Sequence, residues 1–541
     1  MAKNVLFIMC DQLRWDYLSC AGHPHLDTPH IDALAKRGVR FDRAYVQSTI
    51  CGPSRMSFYT GRYVSSHGST WNNIPLKVGE MTLGDHLRPL GVRTALCGKT
   101  HMSADVEGMK RLGLAPDSEI GALVSECGFE PYERDDGLHP SARKKKRNEN
   151  YKDYMKDKGW EDENPWESVA NSGEDEDGNL LSGWFLDNSD QAARAEEEDS
   201  ETPYITRRAM DFIQEAGDTP WCLHLSYIKP HWPYIVPEPY HDMYGPQTHQ
   251  PILRKDAEQE NPHPIFKAFM EERVSKAFTN DATRAKVIGA YMGLIKQIDD
   301  QTGALMAFLD EQGIADDTMI IFTSDHGDYL GDHWMGEKEL FHDPSARIPL
   351  IVVDPSPEAD KTRGTVSDAL VEAIDVVPTI LDFYDGPELG HIIEGQSLRP
   401  LLNGETDALR DFVISEYDYS FRRARRKLGV DVKDANLTML YDGRWKYIFA
   451  DGFRPMLFDL QEDPNEFVDL GADPAYEAEC ARLNGLLFQW SRRISQRTTI
   501  SNAEIEKRGV YMSEAKSGIV IGFATEEDYN DALSRMGEPE E

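Results

Sequence analysis

Along most of the 541 residues, short apolar runs alternate with stretches of helical periodicity. Val5 to Cys10, Thr94 to Cys97, Cys222 to Ile228 and Met319 to Thr323 are such runs. Their alternation with helical segments predicts the α/β class: a mainly parallel sheet covered by helices on both faces. Ahead of the last run, Val287, Tyr291, Leu294, Ile298, Leu305 and Phe308 recur at helical spacing and Gly313 closes the segment. That stripe reads as core packing and not as a cofactor-binding face. The polar residues following each run carry more information: Asp11-Gln12, Gly98-Lys99-Thr100-His101, Lys229-Pro230-His231 and Ser324-Asp325-His326. In open α/β sheets ligands bind beyond the carboxyl ends of the strands, so these four segments are expected to meet in one pocket.

Two regions break the alternation. Residues 141–200 contain the basic run Arg143-Lys144-Lys145-Lys146-Arg147, then acidic Asn/Gly/Ser-rich sequence with Trp160, Trp166 and Trp184, a composition expected of an exposed insertion or lid. After about residue 415, Leu437 to Tyr441 and Trp445 to Phe449 read as strands joined by the turn Asp442-Gly443, Leu457 to Leu460 as a further strand, and 474–495 as a helix. The expected division is a large α/β domain, 1–415, and a smaller C-terminal α+β domain, 416–541. The apolar tail segment Ile519-Val520-Ile521-Gly522-Phe523 suits docking on another subunit, hence a homo-oligomer.

With 94 acidic against 58 basic residues the formal charge is -36, which disfavours nucleic acid and anionic membranes as partners. Met1 to Asp11 runs straight into an apolar strand without the pattern of a signal peptide, and no apolar run approaches a membrane span. The seven scattered cysteines do not form a disulfide framework. Together these features predict a cytoplasmic protein.

Candidate chemistry centres on Cys51-Gly52-Pro53-Ser54-Arg55. Pro53 suits the first position of a helix and Gly61 its stop, so Cys51 is expected at a helix N-terminus, where free amide groups and the dipole favour an anion. A half-buried structural cysteine at a turn is the competing reading. Asp11, Gln12, Asp325 and His326 offer two carboxylates, an amide carbonyl and an imidazole, a set for a six-coordinate Ca²⁺, Mg²⁺ or Mn²⁺, with the imidazole favouring Mn²⁺. An Asp-His pair after a strand also serves as a simple cap or turn.

The Cys51-to-Arg55 pentapeptide resembles the modification signature of formylglycine-dependent sulfatases and their phosphonate-hydrolysing relatives. It is unlike the Cys-x5-Arg loop of thiolate phosphatases, since position 57 is Ser and the arginine comes at 55. The resemblance extends in order through Asp11-Gln12, Thr60-Gly61, His67-Gly68, Gly98 to His101, Lys229 to Tyr234, Thr323 to Gly327, Lys338 and the closing Leu457 to Leu460 with Asp463-Pro464. It implies an alkaline-phosphatase-like α/β/α core, a small anionic ester as substrate, one divalent cation (Ca²⁺ or Mn²⁺) and a maturation enzyme that oxidises Cys51 to Cα-formylglycine. It further implies that Asp11, Gln12, Asp325, His326 and modified Cys51 hold the metal. Arg55, Lys99, His101, His231 and Lys338 would act in catalysis, and Asn72 and Lys229 in substrate binding. Gln12, Asn72 and Arg497 to Ser501 resemble the phosphonate monoester hydrolase branch, whereas Lys99 and His101 resemble the sulfatases. Sulfate monoester hydrolysis is the leading expectation, phosphonate monoester or phosphodiester hydrolysis the alternative, and a metal-binding scaffold without chemistry a third.

Overall fold

The computed structural model describes residues 3–137, 149–493, 498–508 and 522–534. The basic run Arg143–Arg147, Arg497 and Ile519 to Ile521 of the apolar tail fall outside them.

Among the described residues, fifteen strands form three sheets. They are β1 (Asn4–Asp11), β2 (Val39–Tyr45), β3 (Arg93–Gly98), β4 (Glu130–Arg134), β5 (Ser172–Glu174), β6 (Leu180–Ser182), β7 (Trp221–Pro230), β8 (Thr318–Ser324), β9 (Arg347–Ile348), β10 (Leu350–Val353), β11 (Thr365–Glu372), β12 (Val413–Asp418), β13 (Asn436–Tyr441), β14 (Trp445–Ala450) and β15 (Met456–Asp459). The main sheet runs β11-β2-β10-β8-β1-β7-β3-β4, with β9 paired to β2. Its pairings are parallel except at β10, antiparallel to both β2 and β8, and at β9.

β1 lies near the centre because every one of its residues is buried. Leu6, Ile8 and Cys10 enter one apolar core with Ile31, Phe212 and Val287 from three covering helices. Val5, Phe7 and Met9 point to the opposite core, with Phe58, Leu83 and Val377. A strand packed on both faces is read in sequence as an uninterrupted apolar run. The periodic segment before β8 is one 31-residue helix, Asp281–Glu311. No helix among the described residues is long and apolar enough to cross a membrane.

The second sheet is antiparallel, β12-β13-β14-β15. From it the buried Lys446 Nζ donates to Phe341 O (2.9 Å) and pairs with Asp343 (2.7 Å), fastening this sheet to the segment that follows Lys338. Residues 149–200 differ from the exposed insertion expected. Tyr151, Met155, Trp166 and Val169 build a small apolar core against Tyr204, and Trp160 and Trp184 pack on it. These aromatics follow no helical or strand period, so their meeting has no marker along the chain.

Candidate functional site

β1, β3, β7 and β8 end side by side, and their trailing residues surround the N-terminus of the helix Cys51–Thr60. Cys51 itself opens this helix and Pro53 sits third, not first as expected. Proline is tolerated there because the first-turn amides have no partner within the helix. The Gly52 N–H donates to Asn72 Oδ1 (2.8 Å), and a Cβ at position 52 would lie 2.7 Å from that oxygen, so the approach requires glycine.

The Cys51 thiol is 1% exposed. His326 Nε2 and Lys338 Nζ both lie 3.1 Å from Sγ, and Asp11 Oδ1 lies 3.7 Å away. Lys338 Nζ also donates to Gln12 Oε1 (3.0 Å) and to His231 Nε2 (3.2 Å). Arg55, wholly buried, donates from Nε to Asp325 Oδ2 (2.8 Å), from one terminal nitrogen to Lys99 O (2.8 Å) and Ser226 Oγ (2.7 Å), and from the other to Asp11 Oδ2 (3.4 Å). Lys99 Nζ pairs with the same Asp11 oxygen. His101 reaches the thiol with its side chain, while its backbone N–H and that of Thr100 donate to Asp136 Oδ1.

Of the residues singled out in sequence, Asp11, Gln12, Cys51, Arg55, Lys99, His101, His231, Asp325, His326 and Lys338 therefore meet in one buried cluster. Asn72 borders it through Gly52. Lys229 turns elsewhere: its Nζ donates to Asn171 Oδ1 (2.8 Å) and Pro233 O (3.1 Å) and lies 3.6 Å from Glu201 Oε2. Burial pulls its pKa down against the pull of Glu201.

Burial and the adjacent thiol push the Asp11 carboxyl up, but Lys99, His231 and Arg55 outweigh them and hold it well below the usual carboxylate range. Burial likewise raises the Cys51 thiol, and Lys338, Lys99, His326 and the hydrogen bond with His101 more than reverse this. His101 is shifted down by burial and then by Lys99, so its imidazole is neutral at pH 7. The backbone is held with matching force. Gln12 and His101 have φ of 70° and 56°, and Leu330, His333, Trp334, Glu337 and Glu339 around Lys338 all have positive φ. Such conformations cost about 1–3 kcal/mol each and persist where the surroundings impose them.

One ligand atom each from Asp11, Cys51, Asp325 and His326 lies within 4.8 Å of every other. Two carboxylate oxygens and an imidazole, with Gln12 Oε1 sharing Lys338 with Sγ, match the donors a divalent cation takes. Gln12 is oriented by two residues that sequence reasoning left without a role. Its Nε2 donates to Tyr234 OH (2.9 Å) and to the Asp328 carboxylate, to which Tyr234 also donates. A carboxylate only accepts, so the amide nitrogen must face Asp328 and the oxygen must face the cluster. Asp328 follows the Asp325-His326 motif by two residues, the one signal that was available. Asp328→Ala is expected to release this amide and lower divalent-cation affinity about 10–100-fold, read by calorimetric titration of chelator-treated protein; unchanged affinity would show that Asp328 does not orient the ligand.

Comparison with known proteins places this geometry. The family model described as Sulfatase matches residues 3–386. The chain belongs to the sulfatase family. A second family model, N-sulphoglucosamine sulphohydrolase C-terminal, matches residues 331–493, the part that carries Lys338 and the antiparallel sheet. Among sulfatase-family relatives, the chain is 32% identical to the multifunctional alkaline phosphatase superfamily protein PehA of Trinickia caryophylli, over 88% of this chain and 92% of that protein. It is 28% identical to an arylsulfatase of Clostridium perfringens, over 90% and 94% of the two chains. In structure it is similar to the phosphonate monoester hydrolase of Silicibacter pomeroyi, with a TM-score of 0.80 at 29% identity, covering 93% of this chain and 98% of that one. These likenesses set the chain in the alkaline phosphatase superfamily, near the arylsulfatase and phosphonate monoester hydrolase branch.

Proposed function

We propose that the chain hydrolyses sulfate monoesters after a maturation enzyme has converted Cys51 to Cα-formylglycine, with one Ca²⁺ or Mn²⁺ held by Asp11, Gln12, Asp325 and His326. The observation carrying this reading is the set of groups gathered on Cys51 Sγ, with Lys338 and His326 each at 3.1 Å. Sγ stands where an oxygen of the hydrated aldehyde would be. Once formed and bound, an aldehyde hydrate and a divalent cation would together supply an oxygen nucleophile at neutral pH.

The residues of the chain bind, orient and move protons around it. Lys338 and Lys99 are the cations nearest Cys51 and Asp11, placed to take the nonbridging oxygens of a tetrahedral anion. Arg55 keeps the two carboxylates apart and fixed by bonding both. His231 Nδ1 is 3.0 Å from Trp232 O, so that nitrogen carries a hydrogen and Nε2, facing Lys338, is the one that exchanges a proton with the departing alcohol. His101, whose pKa burial lowers and whose side chain meets that of Cys51, is placed as the base that would take a proton from a hydroxyl at that position.

A general acid matters in proportion to the basicity of the leaving group. His231→Ala is therefore expected to slow esters of weakly acidic alcohols by about 10²–10⁴-fold and those of 4-nitrophenol far less, steepening the plot of log kcat/KM against leaving-group pKa. A parallel displacement of that plot would remove His231 from the role.

Phosphonate monoesters and phosphodiesters are the second reading, favoured by Gln12. A neutral side chain there leaves the site one charge more positive than a third carboxylate would, and the two solved structures of phosphonate monoester hydrolases align at TM-scores of 0.80 and 0.78. The monoanionic esters share charge and tetrahedral shape, so one site suits all three. Rates on 4-nitrophenyl sulfate and on a 4-nitrophenyl phosphonate monoester, taken with one preparation, decide between the readings. Sulfate turnover negligible beside phosphonate turnover overturns the first. An unmodified Cys51 after expression with a maturation enzyme, and no turnover of either ester, would favour the non-catalytic scaffold.

A further inference from the structure

Beside the catalytic cluster lies a cavity of about 790 Å³. Two of its lining residues adjoin the cluster: Trp232, which follows His231, and Glu337, which precedes Lys338 and lies 3.6 Å from its Nζ. Its volume is that of a ligand-sized site.

Its walls are of two kinds. Trp184 and Phe185 from the 149–200 insertion face it together with Trp232, and Phe185 is 69% exposed. These rings offer a flat apolar surface for a ring-bearing alcohol. The lining also includes the cations Arg273, Lys276 and Arg423. Of the acidic lining residues, Glu337 faces Lys338, while Asp187 accepts from Thr283 Oγ1 (2.6 Å) and Glu272 from Ala424 N (3.1 Å) and both keep their charge. Among the described residues, no carboxylate pairs with Arg273, Lys276 or Arg423. The same three cations also line an adjoining cavity of about 730 Å³ with Arg426 and Lys427, the last of these paired with Glu271, so cations outnumber carboxylates there too. On a chain of net charge -36, a local concentration of unpaired cations beside the catalytic cluster is where field lines draw in an anion.

From this juxtaposition we propose that the alcohol part of the substrate is a ring carrying a second anionic group, seated in the cavity lined by the aromatics Trp184, Phe185 and Trp232 and the cations Arg273, Lys276 and Arg423. The inference rests on the ester hydrolase reading and names its substrate class: a ring-bearing ester with one anion attacked at the cluster and another held by the cations of the cavity.

A series of 4-(ω-carboxyalkyl)phenyl sulfates with one to four methylenes tests this, each compared with its methyl ester, whose phenol has nearly the same acidity. At the best chain length the carboxylate is expected to exceed its methyl ester in kcat/KM by about tenfold, the scale of one or two partly screened charge pairs. The double variant Arg273→Glu, Arg423→Glu is expected to abolish or invert that ratio, while Arg423→Lys keeps it. Preference for the methyl ester at every length, or a ratio unmoved by charge reversal, overturns the proposal. Calorimetric binding of the released carboxyalkyl phenols separates this from the reaction itself. Binding to the wild type that the double variant loses supports the cavity even where no ester is turned over, a result that would instead sink the hydrolase reading. Equal binding of the carboxyalkyl phenols and their methyl esters counts against the cavity alone.

Discussion

Cys51→Ala is expected to lower kcat/KM by about 10⁴-fold or more on any sulfate or phosphonate ester the wild type accepts, the scale seen when a covalent nucleophile is removed. Alanine keeps the Cβ and fits the first turn of the helix, so stability measured by urea unfolding should change by less than about 1–2 kcal/mol. In the wild type, the peptide spanning Cys51 should be lighter by about 18 Da than the unmodified sequence, since the thiol and one hydrogen give way to an aldehyde oxygen. Activity within tenfold of wild type in the alanine variant would remove Cys51 from the chemistry altogether. An unshifted peptide mass in active enzyme would instead make the thiolate itself the nucleophile. That outcome has physical support, because Lys338, Lys99 and His326 already favour its ionisation.

Arg55→Ala is the second large effect. The guanidinium bonds Asp325 and Asp11 in a site where all three side chains are fully buried. Removing it leaves Asp11 to Lys99 and His231, and Asp325 to the Gln12 N–H (3.0 Å) and His326 (3.6 Å); breaking a buried ion pair in this way costs about 3–5 kcal/mol. Urea unfolding of chelator-treated protein should show that loss, and added Ca²⁺ or Mn²⁺ should restore part of it by binding the native form. Arg55→Lys is expected to recover little, since an ammonium group cannot reach Asp325, Ser226, Lys99 O and Asp11 at once. A loss below about 1 kcal/mol would mean that the carboxylates rely on other partners.

Much of this site is legible in the chain because of how parallel strands are buried. β1, β7 and β8 bury every residue, so each appears as a largely apolar run and the polar segment after it marks the strand end. Asp11, His231 and Asp325 all fall within those polar segments. Other contacts have no such marker. Asp328 and Tyr234 lie in loops, where no periodicity says which side chain turns inward, and their hold on Gln12 depends on contacts between residues 316 and 222 positions apart. Lys229 shares its motif with His231, yet its Nζ is claimed by Glu201 and Asn171, residues distant in sequence. β10 is too short, at four residues, to declare that it runs against its neighbours. The aromatics of the insertion look like surface residues in acidic sequence, and only their contacts with one another and with Tyr204 give them a core.

The burial of Cys51 sets a schedule for its chemistry. His326, which packs 3.1 Å from Sγ, lies 275 residues further along the chain. At a synthesis rate of about 5–20 residues per second, roughly 15–55 s separate the appearance of Cys51 from that of the residues that close over it. A maturation enzyme acting on the folded protein would find a side chain with almost no accessible surface. The oxidation of Cys51 proposed above would belong to that interval, before His326 is made. Slowing β8 and its trailing loop would then widen the interval and raise the fraction of modified enzyme, whereas a chain that folds before being met would stay locked with its thiol.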